Sequence, residues 1–111
     1  MTIKSFLAYS NLPKNTPPLK FSCKSKDDNL GYHVLNIHQS YHFSFCENVL
    51  RTTLFFCNFQ WGTKHRTFDV FNTKKVEKSC DRGMCWWVAY QDGFYFKNVI
   101  DGSLVKVNSW L

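Results

Sequence analysis

The stretch Thr52-Thr53-Leu54-Phe55-Phe56-Cys57-Asn58-Phe59-Gln60-Trp61 decides the architecture of this chain. Phe55, Cys57 and Phe59 recur every second residue, the period at which side chains of a strand share one face. Leu54, Phe56 and Asn58 form the other face, which predicts a central strand covered on both sides. Gly62-Thr63-Lys64 then reads as a hairpin loop leading into a strand at 66–72. Upstream, Leu19, Phe21 and Cys23 alternate with Lys20, Ser22 and Lys24, as a strand with one wet face does. Tyr41, Phe43 and Phe45 alternate with His42, Ser44 and Cys46 in the same way. Downstream, 85–90 and 94–97 flank Gln91-Asp92-Gly93, and an Asp-Gly between aromatic runs signals a hairpin. A short last strand at 104–107 follows Asp101-Gly102.

Breakers separate these runs: Asn11-Leu12-Pro13-Lys14-Asn15 reads as a turn and Asp27-Asp28-Asn29-Leu30-Gly31 as a loop. Helical periodicity is scarce. The expected fold is all-β: a two-sheet antiparallel β-sandwich of about eight or nine short strands, immunoglobulin-like in appearance and stabilised by disulfides. At 111 residues, the chain has room for one domain, over 1–111. Aromatics make up 18% of it, which suits a small core that must offset chain entropy with large buried rings.

The chain holds five cysteines, Cys23, Cys46, Cys57, Cys80 and Cys85, a usage that points to an oxidising compartment. Cys23 and Cys57 lie on the aromatic faces of their strands, as core half-cystines do. Cys80 and Cys85 bracket Asp81-Arg82-Gly83-Met84. Four half-cystines allow three pairings, and spacing does not choose among them. The pairing favoured is Cys23–Cys85 with Cys57–Cys80, because each bridge ties distant segments. Cys46 shares the polar face of its strand with His42 and Ser44 and is the expected free thiol.

Catalytic and metal readings fare poorly. Four residues of strand span roughly 13 Å, so His42 does not reach Cys46 along one strand. No C-x₂-C or His-x₃-His cluster prepares a zinc site. Asp27-Asp28 reads more simply as a polar turn bonding local amides than as a calcium loop. No catalytic residue, metal or cofactor is therefore expected. The net charge of +6 favours anionic partners, and is also a common route to solubility. Nucleic acid is not the expected partner, since the aromatics occupy faces that must supply the core rather than a stacking platform. Trp61, Trp86 and Trp87 are partial exceptions, and of the adjacent pair Trp86-Trp87 one must point away from the other, because neighbours in a strand alternate. No apolar run approaches a membrane span, so no stable membrane insertion is expected. No Asn-x-Ser/Thr acceptor for N-glycosylation is present.

The order of motifs resembles the plant self-incompatibility S-protein family. The segments that carry the resemblance begin with Asn11-Leu12-Pro13 and Cys23-Lys24-Ser25-Lys26-Asp27-Asp28-Asn29-Leu30-Gly31, then Thr53-Leu54-Phe55-Phe56-Cys57-Asn58-Phe59-Gln60-Trp61. They continue through Thr67-Phe68-Asp69-Val70-Phe71, Cys80, Cys85-Trp86 and Asp92-Gly93-Phe94-Tyr95, covering nearly the whole chain. The resemblance implies a small secreted plant protein with a β-sandwich fold and no enzymatic activity. The family's four cysteines map onto Cys23, Cys57, Cys80 and Cys85, leaving Cys46 as the extra one. The founding members are stigma-secreted ligands whose recognition by incompatible pollen arrests its growth. By that resemblance the chain is expected to be an extracellular, monomeric signalling ligand of a cell-surface receptor protein. Met1-Thr2-Ile3-Lys4 carries no signal peptide, as expected of a mature form whose leader has been removed. Recognition is expected from scaffolded loops at 25–31, 72–79 and 98–103, with Lys26, Asp27, Asp28, Lys74, Lys75 and Lys78 as candidate contacts. The alternative is a defence or effector-like protein binding anionic surfaces through its lysines.

Overall fold

The computed structural model describes residues 3–26, 28–46, 54–72, 84–97 and 102–111. These residues contain nine strands: β1 (Ile3–Ser10), β2 (Leu19–Lys24), β3 (Asn29–Leu35), β4 (Ser40–Cys46), β5 (Leu54–Trp61), β6 (Lys64–Asn72), β7 (Met84–Tyr90), β8 (Gly93–Lys97) and β9 (Leu104–Asn108). They form a five-stranded sheet in the order β4-β1-β7-β8-β9 and a four-stranded sheet in the order β3-β2-β5-β6. The all-β sandwich expected from alternation is the observed architecture. One pairing departs from a purely antiparallel plan: β1 and β7 run parallel, Phe6 opposite Cys85 and Ala8 opposite Trp87. A parallel pair needs a long connection, and here the chain builds β2 through β6 between the two strands.

The inward faces are those the alternation marks. In β2, Leu19, Phe21 and Cys23 are buried and Lys20, Ser22 and Lys24 exposed. In β5, Phe55, Cys57, Phe59 and Trp61 are buried. The expected cover on the second face of β5 is not found: Leu54, Asn58 and Gln60 are exposed and Phe56 is only half-buried. The strand is central within its sheet, yet that sheet packs against a partner on one side only. Apolar residues at Leu54 and Phe56 are tolerated there because a folded surface always retains apolar area.

Rings knit the two sheets together. Phe59 of β5 meets Phe94 of β8 at 4.8 Å, Phe6 of β1 meets Phe55 at 6.0 Å, and Phe68 of β6 meets Trp87 of β7 edge-on at 5.0 Å. These tilted and edge-on geometries suit aromatic quadrupoles. The β5–β6 register slips between Phe55 and Phe56, so Val70 has no residue opposite it. Its carbonyl accepts the indole N–H of Trp87 at 2.9 Å, a buried bond across the sandwich. The bulge thus provides the acceptor that a buried tryptophan requires.

The favoured disulfide pairing is corrected by the sheet order. Cys23 is bonded to Cys57, with their Cα atoms 4.1 Å apart. β2 and β5 are antiparallel neighbours in a register that sets Cys23 directly opposite Cys57, both facing inward. Directly opposed cross-strand positions approach more closely than any others in a sheet. Cys23–Cys85 and Cys57–Cys80 are therefore excluded. Cys85, fully buried in the other sheet, is also disulfide-bonded, to neither Cys23 nor Cys57. Cys80 and the side chain of Cys46 lie outside the described residues.

The tail closes one end of the sandwich. Trp110 packs on Phe94 at 4.5 Å and Trp61 at 5.7 Å, and its indole N–H donates to the Tyr90 carbonyl at 2.8 Å. Leu111 exchanges two backbone hydrogen bonds with His65 of β6. Residues 109–111 thus run from the edge of one sheet to the edge of the other. Arg66 Nη2 donates to Asn108 Oδ1 at 3.1 Å across the same end.

Candidate interaction surface

The polar parity of β2 puts Lys20, Ser22 and Lys24 on the outer face of the four-stranded sheet. The register sets Val34 beside Lys20 and Tyr32 beside Ser22 on edge strand β3, and Asn58 and Phe56 on the other flank. Tyr32 is 60% exposed and Val34 47%. A β-branched residue and a tyrosine suit a strand, but their exposure on this face is what makes them candidate contacts: tyrosine is among the residues that dominate binding energy at interfaces. The Lys24 ammonium lies 5.7 Å from the centre of the Phe56 ring. Beside it a shallow groove of about 330 Å³ is lined by Ser22, Lys24, Asn29, Phe56, Asn58 and Thr67.

The loop between β2 and β3 stands at one end of this face. Ser25 N–H donates to the Asp28 carbonyl at 2.7 Å, and Asp28 N–H donates to Ser25 Oγ at 3.1 Å. Asn29 Oδ1 accepts from Gly31 N–H at 2.9 Å, where Gly31 has a φ of 80°. The loop is closed by its own polar groups, the local bonding expected of an Asp- and Ser-rich turn. Lys26 and Asp28, both predicted contacts, are exposed on it. Asp27, Lys74, Lys75 and Lys78 lie outside the described residues, as do the 72–79 loop after its first residue and most of that at 98–103. Sequence reasoning missed Tyr32 and Val34. Their alternation with His33 and Leu35 was available, but Asn29-Leu30-Gly31 read as loop and hid the start of β3.

The titratable groups do not assemble into a catalytic set among the described residues. His33 donates its Nε2–H to the Leu30 carbonyl at 2.7 Å and lies against Tyr41, ring centres 4.1 Å apart. Burial pushes the Tyr41 phenol above its ordinary range. His38 Nδ1 is bonded to the Tyr9 hydroxyl at 2.8 Å. His42 is exposed on β4 and His65 on β6. The backbone register sets Cys46 opposite Ile3, at the end of β4 remote from His38. No group of three or more His, Cys, Asp or Glu among the described residues is placed to hold a metal ion. The Asp92 carboxyl is held below the ordinary aspartate range, chiefly by the Tyr95 hydroxyl bonded to it at 2.8 Å and further by Lys106 at 3.6 Å. That cluster steadies the β7–β8 turn.

The arrangement is a disulfide-tied two-sheet sandwich presenting exposed apolar and basic side chains on a sheet face. The sequence matches the family model of plant self-incompatibility protein S1 over residues 7–110, and the chain belongs to that family. It is 44% identical to S-protein homolog 5 of Arabidopsis thaliana over 77 residues, 69% of this chain. It is 32% identical to S-protein homolog 2 of Arabidopsis thaliana over 95 residues, 83% of this chain. The matched stretch spans 59% of the length of each of these relatives. A solved structure from work on SPH (self-incompatibility protein homologue) proteins, described as small, highly stable, secreted proteins from plants, superposes with a TM-score of 0.76. It covers 98% of this chain and 95% of the other, at 18% identity, so the likeness is one of fold.

Proposed function

We propose that this protein is a secreted, non-enzymatic signalling ligand, recognised by a cell-surface receptor protein through the outer face of its four-stranded sheet and the 25–31 loop. The observation that carries this reading is the exposure of Tyr32 and Val34 beside Lys20 and Lys24 on a sheet whose other face is locked into the core. Rigid presentation lowers the entropic cost of association, and an edge-strand aromatic flanked by the lysines of β2 fits an acidic-rimmed apolar pocket. Secretion is supported by family membership and by the description of the SPH structure as one of secreted proteins. Secretion also agrees with the buried disulfides.

The test is binding of fluorescently labelled protein to intact plant cells. A receptor gives a saturable isotherm, displaced by unlabelled protein, and Tyr32→Ala weakens it by at least about tenfold. A signal that never saturates and is unchanged in Tyr32→Ala would overturn the reading. The second reading, adhesion to anionic surfaces, is favoured by the +6 charge and the ridge of Lys20, Lys24 and Lys26. It predicts binding to anionic vesicles that collapses as salt shortens the Debye length from about 30 Å to about 8 Å, with no effect of Tyr32→Ala.

A further inference from the structure

The outer face of the five-stranded sheet carries aromatic side chains that solvent reaches. Tyr9 of β1, Trp86, Val88 and Tyr90 of β7, Lys97 of β8 and Leu104 of β9 line a groove of about 270 Å³. Tyr9, Trp86 and Tyr90 are each half-buried. The Lys97 ammonium stands 4.6 Å from the centre of the Trp86 ring, and Lys97 is the only charged side chain among the described lining residues. The indole N–H of Trp86 is shielded from solvent yet has no acceptor among the described residues. The other indoles each have one: Trp61 donates to Thr16, Trp87 to Val70 and Trp110 to Tyr90. A buried donor without a partner is rare in native proteins and calls for an acceptor supplied from elsewhere.

We infer that this groove is a binding site for an acidic oligosaccharide, one whose sugar rings carry carboxylates. Sugars present alternating C–H faces and hydroxyl rims. The faces stack on aromatic rings such as those of Tyr9 and Tyr90, and a hydroxyl or ring oxygen accepts the Trp86 N–H once the side chains that shield it from solvent are displaced. Lys97, held against the Trp86 ring by cation–π attraction, is placed to pair with a uronate carboxylate. Charge complementarity selects an anionic sugar over a neutral one. An acidic peptide fits less well. β1, β7 and β8 are each paired on both sides, so this face offers none of the free main-chain groups by which an extended peptide adds to a sheet. The groove is below the usual span of about 300–1,000 Å³ for drug-sized pockets, which suits a single sugar residue with its neighbours running out across the sheet. It lies on the opposite sheet from the proposed receptor face, so the two readings stand or fall separately.

The probe is an α-1,4-linked galacturonate tetrasaccharide, titrated into ¹⁵N-labelled protein at constant ionic strength. The four tryptophan indole signals are the readout, with that of Trp86 assigned by its loss in Trp86→Phe. The expected result is a saturating shift of the Trp86 indole while those of the buried Trp87 and of Trp110 stay in place. The neutral galactose tetrasaccharide should bind at least about tenfold more weakly, and Lys97→Met should remove most of that difference. Should Trp86→Phe fail to fold, the loss of charge preference in Lys97→Met is the deciding measurement. An unmoved Trp86 indole overturns the inference. So does a galacturonate affinity unchanged in Lys97→Met, or an equal Trp86 shift with oligoglutamate of the same charge, which would make this a general anion or acidic-peptide site.

Discussion

Trp87 does two jobs at once. Its rings fill the space between the sheets against Phe68 and Phe96, and its N–H satisfies the Val70 carbonyl that the β6 bulge leaves over. Trp87→Phe keeps a ring but strands that carbonyl in the core. Leaving one buried polar group unpaired costs about 1–3 kcal/mol, and the lost ring volume adds to it. A urea titration should show the midpoint fall with little change in slope; an unaltered midpoint would mean that water reaches Val70 after all. Asp92 gives a gentler residue-level test. Its pKa is lowered first by the Tyr95 hydroxyl and then by Lys106, against a partial desolvation that raises it. A depressed aspartate favours folding above its unfolded pKa, and that contribution is lost as pH falls through the folded value. Tyr95→Phe should move the Asp92 titration, followed by carboxyl ¹³C NMR, up toward the ordinary range. Identical curves in the two proteins would show that the hydroxyl is not what holds it down.

Among the elements, the β7–β8 hairpin was the one most plainly written. The hairpin forms where the Asp-Gly signal put it, but its turn residues are Gln91 and Asp92, and Gly93 opens β8 opposite Tyr90 with a φ of 151°. A Cβ on Gly93 would stand 2.1 Å from the Asn108 carbonyl oxygen, so the strand that follows depends on the missing side chain. Gly93→Ala should therefore push β9 away from β8 and lower the thermal midpoint by several degrees, about 4–8 °C for each kcal/mol lost in a domain near this size. No change in the midpoint would mean the backbone there gives way freely. β2 was legible because only one parity is apolar, and β5 because Phe55, Cys57 and Phe59 share a parity, although Leu54 and Phe56 on the other suggested a second cover that is not found among the described residues. β1 was not, since Ile3-Lys4-Ser5-Phe6-Leu7-Ala8-Tyr9 has apolar residues on both parities, and it proves to lie inside a sheet whose outer face is also aromatic. The same property concealed the groove over Trp86. The need for one of Trp86 and Trp87 to face away was readable from adjacency, but which one, and what gathers around it, depends on long-range register. The cysteine pairing was hidden for a related reason. Inward parity was visible for Cys23 and Cys57, whereas the fact that β2 and β5 are neighbours is a property of sheet order.

At the scale of the molecule, the Cys23–Cys57 bridge determines how much the sandwich depends on its chemistry. It joins two strands of one sheet rather than the two sheets, and closes a segment with a sequence separation of 34. The chain-entropy account gives such a loop about 3–4 kcal/mol of stabilisation through the unfolded state. That is a large share of the roughly 5–15 kcal/mol by which domains are stable. The sheets themselves are held by rings and by the Trp87–Val70 bond, neither of which is lost on reduction. The replacement Cys23→Ala with Cys57→Ala should therefore leave a folded sandwich of the same strand content by circular dichroism. Its urea midpoint should fall by about 2 M, given a slope of about 1–3 kcal/mol per M. If the double variant does not fold at all, the ring core is insufficient without the bridge, and oxidation must precede or accompany folding. If its midpoint is unchanged, the register of β2 on β5 already confines the loop, and the disulfide guards the unfolded chain against other pairings rather than stabilising the native one.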